Sequence, residues 1–175
     1  MGLRALLGVE DAGGTYRARY VHYDGCPTVI VPALTALVHN VLDHDQAAAV
    51  DHLLRSDWRS LYALPGTGMA GEVVGAPILC APEPETGHIG TTTPGDREWA
   101  YLFGGHRLHV YLAVWPERGD KQWQPWACWS VNELPSLSMT ELLDVQKRGF
   151  ATQWRAADFR KYMAAVAERY GEVWR

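Results

Sequence analysis

The stretch WAYLFGGHRLHVYLAVW, residues 99 to 115, sets two runs of aromatic and aliphatic strand-forming residues on either side of Gly104-Gly105. A glycine pair between such runs supplies the positive φ angles of a tight turn, so the stretch predicts a β-hairpin. Side chains alternate between the two sides of a strand. Leu108, Val110, Leu112 and Val114 therefore share one side, and Arg107, His109, Tyr111 and Ala113 the other.

Toward the N-terminus, Leu3 to Val9 and Thr15 to Tyr23 flank the turn-forming Asp11-Ala12-Gly13-Gly14 and predict another hairpin. Its second strand places Tyr16, Ala18, Tyr20 and His22 on one side and Arg17, Arg19 and Val21 on the other. After Gly25-Cys26-Pro27, the apolar run Val29 to Leu42 and the helically spaced apolar residues of Asp45 to Arg55 predict two helices, or one broken at Asp43-His44-Asp45, with Asp43 or Asp45 as N-cap. From Pro65 to Asp96 the chain is dense in Gly, Pro and Thr, and only Val73 to Cys80 reads as a strand. Pro116 to Trp129 reads as a polar linker followed by Trp123, Trp126 and Trp129, which at that spacing cover a core rather than stack on bases. Ser138-Met139-Thr140-Glu141 has the form of a capping box, which predicts a helix from Met139 to Arg148. The spacing of Phe159, Met163, Val166, Ala167 and Tyr170 predicts a last helix from about Ala156 to Val173.

These elements predict an α+β fold. A mostly antiparallel sheet of two hairpins and the Val73 to Cys80 strand carries helices on one face and a C-terminal helical extension. The organisation expected is a core domain over 1–116 and an extension over 117–175 packed on it. With 47% hydrophobic and 21% charged residues the composition is that of an ordinary globular chain, not a disordered one. The net charge of −4 offers no general attraction to nucleic acid or to anionic membranes. No run approaches the roughly 18 apolar residues of a membrane span. Three widely spaced cysteines, Cys26, Cys80 and Cys128, suit a reduced, cytoplasmic setting.

Candidate chemistry centres on His22 and Asp24. Two residues apart on a continuing strand, they would leave the same face, with the aspartate orienting an imidazole that acts as general base. The competing reading is structural: Asp24-Gly25 ends the strand as a turn, with glycine taking the positive φ, and His22 is hydrogen-bonded in the core. Arg4, Arg17 and Arg19 make an anion-binding patch beside Tyr20 if all three point the same way, since arginine grips phosphate and carboxylate through paired N–H groups. No two histidines stand four apart, so His39, His44, His106 and His109 predict no metal site, and no cofactor is expected. Cys26 reads as a small buried cysteine and not as a nucleophile paired with His22.

Met1-Gly2-Leu3-Arg4, Gly8, the glycine turn and the run Tyr20-Val21-His22-Tyr23-Asp24-Gly25-Cys26-Pro27 resemble small proteins of phages and actinobacterial mobile elements. Those proteins open MGTRxxIG and carry a Y-x-H-x-D-G-Y-P run. Glu98 to Phe103 resembles the same family's aromatic E-x-x-YLF segment. This chain has Leu3 where the family has Thr, Gly13 for Asp and Cys26 for an aromatic residue, and residues from about 117 onward lie beyond the match. The family has no established activity. The resemblance implies a mobile-element accessory protein, and no strong catalytic signature stands against a binding role. The function expected is a non-catalytic binding protein acting on a host protein or a small anionic ligand, with a homo-oligomer as a further assembly. The alternative is a small metal-independent hydrolase acting on a nucleotide-like or other phosphorylated compound through His22 and Asp24.

Overall fold

A computed structural model of the chain describes residues 3–63, 73–78, 83–116 and 120–153. In chain order the elements are β1 (Ala5–Glu10), β2 (Thr15–Val21), α1 (Pro27–Ala36) running into a π-helical turn (Leu37–Val41), α2 (Gln46–Leu53), β3 (Asp57–Ala63), β4 (Val73–Ile78), β5 (Glu85–His88), β6 (Trp99–Gly104), β7 (Arg107–Val114), β8 (Gln122–Ser130), a 3-10 turn (Val131–Ser136) and α3 (Met139–Gln153). The expected helix over 156–173, the thiol of Cys80 and the glycine-rich 65–71 lie outside the described residues.

The strands form one sheet in the order β4-β3-β2-β1-β6-β7-β8, with β5 added to β2. The fold is thus the expected α+β arrangement, with antiparallel pairing everywhere except at β1–β6 and β2–β3, which are parallel. Both predicted hairpins form. In the first turn Asp11 Oδ1 accepts from the N–H of Gly13 and Thr15 at 2.9 and 3.0 Å. Gly14 takes the positive φ there, and Gly105 does so in the β6–β7 turn.

One face of the sheet buries Ala5, Leu7, Val21, Trp99, Tyr101, Phe103, Leu108, Val110 and Leu112 against the helices. Trp99, Tyr101 and Phe103 are fully buried, each contributing about 2 kcal/mol by the usual area scale. Pro27 opens α1, a position where its missing N–H costs nothing. Asp45 caps α2 by accepting from the N–H of Ala48. The predicted capping box holds at α3: Glu141 N–H donates to Ser138 Oγ, and Glu141 accepts from the N–H of Ser138 at 2.8 Å.

Three strands escaped the sequence reading. β3 carries a register shift between Trp58 and Ser60, so its two buried residues, Trp58 and Leu61, stand three apart and hide the period of two. Residues 122–130, read as part of a linker with core-covering tryptophans, form β8 on the edge of β7. A second register shift at Val110/Tyr111 puts Trp126, Ala127 and Trp129 on the helix side, while Trp123 packs on the opposite face. β5 has only four residues, two of them Gly87 and Thr86, and exists because β2 has an edge to pair with.

Gly8 lies where β1 and β2 approach most closely. A Cβ there would stand 2.0 Å from the Arg17 carbonyl oxygen and 2.7 Å from Ala18 Cα. Gly8→Ala is therefore expected to cost about 3 kcal/mol and lower the melting temperature by about 10 °C. Gly13→Ala, whose new Cβ would meet only Asp11 Oδ1 at 3.3 Å, is expected to cost less than about 1 kcal/mol. Thermal unfolding of the two variants beside the parent checks both.

Candidate functional site

The outer edge of β2 has two partners. Residues 15–18 pair with β5 and Val21 pairs with β3 at Trp58, leaving Arg19 and Tyr20 at a gap between them. Unpaired backbone donors in a partly buried place must be satisfied otherwise. Asp57 does this, accepting from Tyr20 N–H through Oδ1 at 3.0 Å. Arg19, only 4% exposed, fills the rest of the gap by donating to the carbonyls of Leu54 and Glu83 at 2.9 and 3.1 Å.

Over this gap opens a cleft of about 460 Å³ lined by Tyr20, Asp57, Glu83, Glu85, Asp96 and Arg97. Four of the six are carboxylates. Arg97 bonds Glu85, and its Nε stands 3.7 Å from Asp96 Oδ1. Its guanidinium also lies over the ring of Tyr20, 5.7 Å from the centroid. Arg4 pairs with Asp96 at 3.0 Å, and Arg19 reaches to 3.9 Å from Asp57. Two polar groups of the cleft have no protein partner among the described residues: the exposed Glu83 carboxylate carries no ion pair or hydrogen bond, and the buried Arg97 Nε has no hydrogen-bond acceptor.

Burial shapes the titration around the cleft. It pushes the Tyr16 hydroxyl up to about 12, with the neighbouring Glu85 charge adding to the effect. Burial, and then Asp96, likewise raises Tyr20. Glu98, whose Oε2 accepts from Arg4 N–H at 2.7 Å, is raised mainly by burial.

The residues expected from the sequence divide between the two faces. Arg4, Tyr20 and His22 lie on the cleft side, because Leu6 pairs with Tyr20 there. Arg17 and Arg19 follow Val21 onto the helix side, with Arg17 exposed. The three arginines therefore do not converge, and strand parity is the reason. His22 and Asp24 do not form a pair either. β2 ends at Val21; His22 Nδ1 bonds the Tyr20 hydroxyl at 3.1 Å, and its ring meets Tyr23 edge-on with centroids 4.2 Å apart. Asp24 instead accepts from the hydroxyl of Tyr62.

The turn also differs from its expected form. Asp24 itself takes the positive φ, 58°, while Gly25 is required for a different reason: a Cβ there would lie 2.7 Å from Ala5 Cβ. Cys26 is buried, as expected of it, and burial raises its thiol.

Sequence reasoning missed Asp57, Glu83, Glu85, Asp96 and Arg97. The one available signal was the density of acids in 83–98, inside a segment whose length already suggested a role. Among the described residues, no group of three or more His, Cys, Asp and Glu side chains is arranged to hold a metal ion. No described helix is long and apolar enough to cross a membrane. No protein-family model, curated protein or solved structure matches the chain.

Arg97→Met is expected to lower stability by about 1 kcal/mol, because it removes the cation from the partly buried Glu85, while the exposed Asp96 keeps Arg4. Chemical denaturation measures this. Glu98 supplies a pH test. Its raised value means the folded state binds its proton more tightly than the unfolded one, so its contribution is full at low pH and is lost as pH rises through its titration. Glu98→Gln should therefore gain on the parent in melting temperature between pH 4 and pH 7.

Proposed function

We propose that the chain is a non-catalytic binding protein that takes a peptide segment of a protein partner in the cleft over β2, with a lysine or arginine side chain as the anchor. The observation that carries this reading is the acid-rich lining of the cleft, four carboxylates among six residues, with the exposed Glu83 carboxylate open to a cation from solvent. A lysine or arginine side chain supplies that cation.

The acid-rich lining favours such a partner over a small anionic ligand, since a phosphate would meet four carboxylates around one already engaged guanidinium. Resemblance of the first 27 residues to proteins of phages and mobile elements supports a host protein as the source of that segment. The hydrolase alternative needs an aspartate on His22, and the bonds of His22 to Tyr20 and of Asp24 to Tyr62 weigh against it.

Titration calorimetry with acetyl-Gly-Arg-Gly-amide, its glutamate analogue and inorganic phosphate tests the proposal. The arginyl peptide is expected to bind and the other two not to. Glu83→Gln should weaken binding about threefold, the size of one solvent-exposed ion pair. Preference for the glutamate peptide or phosphate, or indifference to Glu83→Gln, overturns the reading.

A further inference from the structure

A separate group of side chains lies across β1 and β6 from the cleft, on the same face of the sheet. Glu10, at the end of β1, reaches over β6 at Gly104, where an added Cβ would stand 3.1 Å from Glu10 Cγ. Its carboxylate, 7% exposed, accepts from the Tyr111 hydroxyl at 2.8 and 2.9 Å and lies 3.3 Å from His109 Nδ1. Directly across from His109 on β8 stands Cys128, with its Sγ 3.9 Å from the same Nδ1. Arg107 Nε donates to that sulfur at 3.0 Å. Cys128 is exposed and unpaired.

A guanidinium N–H only donates, so the sulfur accepts from Arg107. Nδ1 of His109 faces both the Glu10 carboxylate and the sulfur, and Tyr111 anchors the carboxylate. The Arg107 cation therefore stands where negative charge develops on Cys128 as it reacts.

We propose that Cys128 is a reactive cysteine and, among the described residues, the site of covalent modification by low-molecular-weight disulfides, with Arg107 stabilising negative charge on the sulfur as it attacks. The thiolate attacks one sulfur of the disulfide, and a new S–S bond forms to Cys128. The old S–S bond breaks, and its electron pair leaves on the second sulfur as a thiolate, which takes a proton from water. Cys128 is oxidised to a mixed disulfide and half of the small disulfide is reduced to a thiol. Turnover as an acyl-transfer triad does not fit this geometry. A relay needs the carboxylate and the sulfur on opposite ring nitrogens, and here both face Nδ1. The site is independent of the cleft, and its outcome bears on neither the cleft nor its peptide.

Oxidised glutathione is the probe, with intact-mass and peptide-mapping mass spectrometry on the folded chain at pH 7. Glutathione is expected on Cys128, formed on the order of tenfold faster than at the same residue in the urea-unfolded chain. The buried Cys26 should react only after unfolding. Cys128→Ser should abolish the rapid phase. Arg107→Gln, a change at an exposed position, should slow it about fivefold without altering the melting temperature. Equal rates in folded and unfolded chain, or an unchanged rate in Arg107→Gln, overturn the proposal.

Discussion

The interrupted pairing along the outer edge of β2 is the constraint from which the functional side of this molecule follows. β3 enters the sheet parallel to β2, after α1 and α2 have crossed the helix face, and it meets β2 only at its C-terminal end. The other end would be an open edge, and β5 closes it. Between the two partners the backbone of β2 needs substitutes for ladder hydrogen bonds. A carboxylate from β3 accepts from Tyr20 N–H in place of a ladder carbonyl, and the Arg19 side chain donates to the carbonyls of Leu54 and Glu83 across the gap. Charged groups are thus drawn into a half-buried place for structural reasons, and once there each requires a counter-charge. Glu85, Asp96, Arg97 and Arg4 continue the network outward until Glu83 ends it without a cation.

The two faces of the sheet carry different parts of the task. The helix face is almost wholly apolar, and its large side chains, Trp99, Tyr101 and Phe103, are buried without remainder. Gly149 of α3 belongs to the same packing, since a Cβ there would lie 2.4 Å from the Trp99 ring. That face holds the chain folded. The other face has a smaller apolar cluster of Leu6, Tyr16, Ala18, Ala100, Leu102 and Trp123. Around it stand the cleft residues and the Glu10, His109 and Cys128 group, so both candidate sites open on one side of one sheet.

How much of this was legible in the sequence depended on regularity. Hairpins over 5–21 and 99–114, with glycines in their turns and unbroken alternation, could be read because local signals and tertiary pairing agreed. β3 and β8 could not, since a register shift in each breaks the period of two that marks a strand. β5 has no propensity of its own to read. His22 and Asp24 were visible as residues but not as partners. The separation of Asp24 from His22 is set by Tyr62, a residue 38 positions away on a strand the sequence did not reveal. The convergence assumed for Arg4, Arg17 and Arg19 failed on parity alone, which a fixed β1–β2 register would have decided.

The cleft and the Cys128 group are built by one device. In each, a side chain is admitted to a position that regular sheet structure would deny it: Asp57 at a missing ladder bond, and Glu10 over a strand that carries glycine at the crossing point. A carboxylate brought in this way loses water and gains fixed donors, and its neighbours must then answer its charge. At Asp57 the answer is Arg19, which is itself buried and turned inward, so the remaining capacity of the network shows at its solvent end as Glu83. At Glu10 the answer is the Tyr111 hydroxyl together with His109, which stands on β7 between Glu10 and Cys128 of the edge strand β8. The inner carboxylate therefore fixes, in both places, what the outermost group presents to solvent. One end offers an acid with room for a cation, and the other an exposed sulfur that accepts from Arg107.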